Sequence, residues 1–194
     1  MILPKILINA WDKIEISYKK GMICSERHLQ AVLFQILQEN NEFVKSYQLF
    51  IEPTIQIKTD NKNFKIIPDI VVTQEQNIVC AIELKYNPLG YIKFKKDLYK
   101  LSLFYKQRGI FRDVYLSTDP ISGDYNYELK YSVSKNVLLV YAVIANEFSL
   151  AITNSSYIWS NQEFVNKPIK NYLQLIGSVN NIKEANFYYF DNTL

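Results

Sequence analysis

Asp69 lies in "IIPDIVV" (66–72), and Glu83 and Lys85 lie in "IVCAIELKY" (78–86); both segments are otherwise apolar. A charge taken out of water is costly unless something compensates it. Side chains on a strand alternate between its two faces. The second segment therefore sets Val79, Ala81, Glu83 and Lys85 on one face, and Ile78, Cys80, Ile82, Leu84 and Tyr86 on the other. If the two segments pair as a hairpin, Asp69 approaches Glu83 and Lys85 stands beside them. Two adjacent carboxylates repel, and each favours protonation unless a cation separates them. Mg²⁺ suits such a pair because it takes hard oxygen ligands, often one or two carboxylates completed by waters and a phosphate. A neighbouring lysine could position or deprotonate a water, or stabilise charge on the phosphate. Residues of these types at this spacing could hydrolyse a phosphodiester.

The elements that must position them follow from periodicity. Residues 4–18 read as a helix opened by Pro4 and closed by Gly21. A second helix is capped by Ser25, with Leu29, Val32, Leu33, Ile36 and Leu37 on one stripe. It fades at "ENNE". "YQLFIEPTIQIK" (47–58) alternates as a strand pair or as one strand bent at Pro53. "TDNKN" is a turn, and "TQEQN" joins the two apolar segments. "NPLG" stops the second of them. Residues 91–108 read as a helix with Phe94, Leu98, Leu101 and Tyr105 on one face. "RDVYLST" is a strand, "DPISGDYNYE" a long loop and "NVLLVYAVIAN" a buried strand against which "FSLAIT" pairs back. From about residue 155 the tail shows weak periodicity. This order of elements gives one mixed α/β domain over residues 1–194.

"IPDIVV…CAIELKY" resembles the core motif of the PD-(D/E)xK nuclease superfamily. Pro68-Asp69 match its first element, and Glu83-Leu84-Lys85 match its second in the E-x-K form. Asp69 and Glu83 are fourteen positions apart, which suits a short hairpin. The resemblance implies a restriction-endonuclease-like fold: a central mixed β-sheet flanked by helices, with a core at about 24–145 and with the N-terminal helix and C-terminal tail outside it. It further implies that Asp69 and Glu83, with the Leu84 backbone carbonyl, bind Mg²⁺ or Mn²⁺, that Lys85 serves the water or the phosphate, and that the substrate is DNA. A homodimer is compatible with cutting two strands. In this family an upstream helix often supplies a further acid. Glu26, in the first turn of the second helix, lies in line with Leu29, Leu33 and Leu37 and so with the core face, although an acid there is also favoured by the helix dipole alone. His28 falls on the opposite side.

Lys93, Lys96 and Lys100 form a stripe on the helix at 91–108, able to hold DNA phosphates or to stand as an ordinary solvated face with Asp97 pairing Lys93 or Lys100. Asp97 matches no pattern that assigns it a role. The fifteen tyrosines could stack on bases but serve equally in a core.

Composition narrows the alternatives. The chain has 194 residues, is 48% hydrophobic and carries a net charge of +3, which allows a nucleic-acid partner without requiring one. Two cysteines, Cys24 and Cys80, argue against a disulfide framework, and a single histidine against triads and His-ligated metals. Phosphate-loop, dinucleotide and nucleophile-elbow motifs do not occur. The N-terminus does not read as a secretory signal, and no segment is apolar enough to span a membrane, so a cytoplasmic setting is expected. Two other readings compete with a metal-dependent endodeoxyribonuclease. One is a catalytically silent nucleic-acid- or protein-binding module on the same fold; the other is an interaction protein in which the motif is coincidental.

Overall fold

The computed structural model describes residues 2–58, 63–89, 94–109, 114–117, 125–146, 169–181 and 184–193. Helix α1 (Ile2–Lys19) buries Leu3, Ile6, Leu7, Ala10, Trp11, Ile14 and Tyr18, the three-and-four spacing of an amphipathic helix laid on a sheet. Gly21, at a φ of +74°, takes the left-handed turn that releases the chain. Helix α2 (Glu26–Gln38) starts where Ser25 caps it, the Ser25 side chain accepting from the His28 N–H, and it buries Leu29, Leu33, Ile36 and Leu37. Asn40 caps a further short helix, α3 (Asn41–Ser46), inside the segment where the sequence showed only the end of its predecessor.

The strands then follow as β1 (Gln48–Ile51), β2 (Ile55–Lys58), β3 (Asn63–Ile66), β4 (Ile70–Gln74) and β5 (Asn77–Asn87). Helix α4 (Lys95–Gln107), β6 (Val114–Ser117), β7 (Tyr125–Asn146), β8 (Tyr172–Asn181) and β9 (Glu184–Asn192) complete the described chain. Six strands build a mixed layer in the order β1-β4-β5-β7-β8-β9. The β5–β7 and β7–β8 pairs are parallel and the others antiparallel. The first part of β7 also pairs with β6, which continues through β2 to β3 as an antiparallel extension. Helices α1 and α2 cover one face of the central layer in one apolar cluster, and α4 covers the other face in a second. The α/β class and the mixed sheet flanked by helices are therefore as expected.

Several local expectations are corrected. Residues 66–72 do not form one strand: β3 ends at Ile66, β4 starts at Ile70, and Pro68 and Asp69 lie in the break between them. Proline lacks the N–H that a ladder requires, so the chain turns there from one sheet region to another. Pro53 likewise separates β1 from β2, which join different neighbours. Strand β5 carries an irregularity between Ile78 and Cys80. Ile78 consequently packs on the α4 side with Ala81, and Val79 packs on the α1–α2 side with Cys80; strict alternation holds only from Cys80 onward. Tyr125–Asn146 is a single strand, so the second part of the expected loop at 119–128 is strand. The tail supplies β8 and β9, whose Leu173, Leu175, Val179 and Ala185 share a core cluster with Leu29 and Ile82. "FSLAIT" and most of "TDNKN" lie outside the described residues.

At Gly177 on β8, an added Cβ would meet the Phe187 ring at 2.9 Å and Ile144 at 3.1 Å. Ile144 is fully buried, and the partly buried Phe187 ring is packed against the core cluster. Gly177→Ala is expected to destabilise the fold by about 1–3 kcal/mol, the usual cost of overpacking, read as a lower urea midpoint with an unchanged slope.

Candidate active site

Where β4 begins, Asp69 is fixed at both ends. Its backbone carbonyl accepts from the Glu52 N–H at 2.9 Å and from Gln30 Nε2 at 3.1 Å. Its side-chain Oδ2 accepts from the Leu84 N–H at 2.6 Å. The paired ladder of β4 and β5 stops at Ile70 and Ile82, so the Asp69 carboxylate takes over as acceptor for β5 just past the end of its partner. This ties the first acid to the residue that follows the second.

Glu83 points from β5 toward the α4 face and is 0% exposed. Its Oε2 accepts from the Lys100 ammonium of α4, which also donates to the Ile67 carbonyl at 3.2 Å. Its other oxygen, Oε1, has no hydrogen-bond partner. Lys85, two residues on, stands between two acids, 3.3 Å from Glu26 Oε2 and 3.3 Å from Asp97 Oδ2. Glu26 Oε2 also accepts from the Tyr86 N–H at 3.3 Å, so the first turn of α2 is joined to β5 through one carboxylate. Glu26 thus turns toward the other acids, as its helical position implied. His28 faces solvent, its Nδ1 3.0 Å from Cys24 Sγ.

Four carboxylates (Glu26, Asp69, Glu83, Asp97) therefore share one region with two ammonium groups (Lys85, Lys100). Carboxyl groups outnumber ammonium groups there, and Glu83 and Asp97 are withdrawn from solvent while Glu26 is partly exposed. Burial, then the field of Asp69, pushes the Glu83 carboxyl up to about 9 against the pull of Lys100. Burial also raises Asp69, opposed by the Leu84 N–H, and raises Asp97, opposed by Lys85. For Lys85, burial alone would favour the neutral amine, but Asp97 and Glu26 outweigh it and hold the ammonium above its ordinary pKa. Such a cluster demands either protons or a further cation.

Of the residues singled out in the sequence, Asp69, Glu83, Lys85 and Glu26 come together, and Leu84 joins them through its N–H. The lysine stripe does not survive as a unit. Lys96 is exposed, but Lys100 turns inward to Glu83, and Lys93 lies outside the described residues. Helical positions four apart differ by about 40°, and the long lysine stem spans that offset to reach an unsatisfied acid. Sequence reading passed over Asp97. A signal for it existed: Asp97 falls on the stripe of Leu101 and Phe104, both fully buried, and an acid on an apolar stripe is the same sign that marked Glu26. In this arrangement no three His, Cys, Asp or Glu side chains among the described residues converge closely enough to hold a metal; the two ammonium groups stand among the carboxylates instead. No helix among the described residues is long and apolar enough to cross a membrane.

Comparison with protein-family models, with curated proteins and with solved structures gives no match in any of the three.

The raised acids fix the sign of the pH dependence. A carboxyl near 9 in the fold and near 4.5 when free contributes stability that is complete below about pH 4.5. That contribution drains away as pH rises toward 9. Without added metal, the melting temperature is expected to fall as pH rises through this window. Glu83→Gln should flatten the decline without abolishing it, since Asp69 and Asp97 are raised as well. Scanning calorimetry of both proteins from pH 5 to 9 checks this.

Proposed function

We propose that the chain is a metal-dependent endodeoxyribonuclease of the PD-(D/E)xK type, with a restriction-endonuclease-like core. The observation that carries the reading is the fully buried Glu83 on a central strand, with Asp69 bonded to the next residue and Lys85 beyond it. The donor set fits Mg²⁺ or Mn²⁺: the ligands are hard oxygens, negative charge is in excess, and Glu83 Oε1 is buried without a partner. Asp69 and Glu83 are the residues to hold the ion, with the Leu84 carbonyl as a third oxygen. When bound, such an ion polarises a phosphate and lowers the pKa of its water.

The chain's own residues divide the remaining work. Lys85 stays protonated, so its service is to hold a phosphate oxygen or orient a water, not to remove a proton. Glu26 and Asp97 keep that ammonium in place from two sides. Lys100 donates to Glu83 Oε2 here; with a divalent ion held by Asp69 and Glu83, its ammonium would be available to substrate phosphate. Exposed Lys96 is a phosphate contact along α4. DNA is the preferred substrate on the strength of the family resemblance, and a cytoplasmic, membrane-free setting agrees with it.

A second reading draws on the Lys100–Glu83 pair: the acids are already balanced by lysines, as in a silent binding module that keeps the fold. The two part on activity. Purified protein is expected to cut DNA with Mg²⁺ or Mn²⁺, and EDTA should abolish cutting, on a panel of single-stranded, duplex, flapped and four-way-junction substrates. Asp69→Ala and Glu83→Ala should each lower the rate at least 100-fold. Lys85→Ala should lower it comparably while retaining metal-induced stabilisation. DNA binding with no cutting of any substrate by the wild type would favour the silent module.

Lys96→Ala serves as a separate check on the DNA path. It should weaken binding several-fold and lower the salt slope of log K by about 1, measured by fluorescence anisotropy, with Mn²⁺-induced stabilisation unchanged.

A further inference from the structure

One buried group near the acids has no part in the reading above. Tyr141 lies in the middle of β7, directly opposite Glu83 in the parallel β5–β7 register. It is 0% exposed, and its hydroxyl has no hydrogen-bond partner. Its ring packs in the cluster that contains Leu98, Leu101 and Phe104 of α4. The hydroxyl lies in the field of the acids: after burial, the charges of Asp97, Glu26, Glu83 and Asp69, in that order, hold its pKa well above the ordinary value. Glu83 Oε1 is likewise buried without a hydrogen-bond partner, and Asp97 Oδ2 has only the Lys85 ammonium, at 3.3 Å. A buried hydroxyl of this kind costs stability for as long as it stays unpaired. A phenylalanine would fill the same space without that cost.

We propose that Tyr141 is a positioning residue of the site: its hydroxyl donates to an oxygen ligand that the Glu83 and Asp97 carboxylates share. That ligand is a water in the metal-free protein and a water of the hydrated divalent ion in the loaded one. The inference rests on the metal-binding part of the proposed function but not on the cleavage of DNA. The Tyr141 hydroxyl can donate as well as accept, and donation suits a water whose remaining interactions are with carboxyl oxygens. Outer partners of this kind orient the groups that contact the ion, and losing one typically costs 10–100-fold in metal affinity or activity.

The test compares the wild type with Tyr141→Phe in the full-length chain, following thermal unfolding across a MnCl₂ titration, with DNA cleavage measured in parallel. In the absence of metal, Tyr141→Phe should melt within a few degrees of the wild-type temperature, because it loses only the hydrogen bond of its hydroxyl to a water. Its half-saturating Mn²⁺ concentration should rise 10–100-fold. Tyr141→Phe with the wild-type Mn²⁺ dependence would overturn the inference, and so would a wild type whose melting temperature does not respond to Mn²⁺ at all. If the wild type responds, the variant responds more weakly and neither cuts DNA, the role of Tyr141 stands and the nuclease reading falls. If both cut equally and respond equally, the nuclease reading stands and the role of Tyr141 falls.

Discussion

The burial of the Glu83 carboxylate is the constraint around which the rest of the structure is arranged. An ionised carboxylate in a sheet centre is tolerable only if it is paired, bonded or protonated. Here all three responses are present in part. Lys100 reaches across from α4, the carboxyl pKa rises to about 9, and one oxygen is still left without a partner. A protein selected for stability alone would fill the position with an apolar residue, as Ile82 and Leu84 fill the positions on either side. Replacing a buried ion pair with such residues is often neutral or favourable, whereas removing one partner alone typically costs about 3–5 kcal/mol. The side chain that strains the core is also the one whose chemistry is most useful.

The sheet explains how that strain is held. Strands β5, β7 and β8 run parallel through the centre, and the acids gather toward the C-terminal end of β5, the end of a parallel strand where α/β proteins commonly place ligands. Helix α2 brings its first turn there, with Glu26 hydrogen-bonded to the Tyr86 N–H. Helix α4 brings Asp97 and Lys100, one turn apart on the side that faces the sheet. The break at Pro68 allows Asp69 to leave the ladder and bond to Leu84 with its side chain instead. The six charged groups are thus carried by four parts of the chain, α2, the start of β4, β5 and α4, whose apolar residues pack in two clusters on the two faces of the sheet.

What could be read in advance follows from which forces are local. Ser25 as a cap, the stripe on α2, the hairpin of β4 and β5 and the facing of Glu83 all depend on short-range sterics and on periods of two or 3.6 residues. The two strands of the tail were hidden because their partners are distant: β8 pairs with β7, whose matching residues lie more than thirty positions earlier. Asn and Tyr in that segment also dilute the alternation of Leu173 and Leu175. The slip at Ile78 and Cys80 escaped notice because a strand irregularity changes facing without changing composition. The sequence sets Lys100 on an outward stripe, facing DNA phosphates or solvent, because a lysine on a polar stripe usually points outward. Its inward turn is dictated by Glu83, seventeen positions away in sequence and placed by a different element. Tyr141 carried no sequence signal of its own, being one aromatic residue in an apolar strand.

The account stands or falls on whether a divalent ion enters among these carboxylates. Anomalous diffraction from crystals soaked in MnCl₂ measures this directly. The account predicts a Mn²⁺ peak bound by Asp69 and Glu83, with the Lys100 ammonium moved off Glu83. No peak at saturating Mn²⁺, with Lys100 still bonded to Glu83, would contradict it and leave the cluster as a set of structural ion pairs.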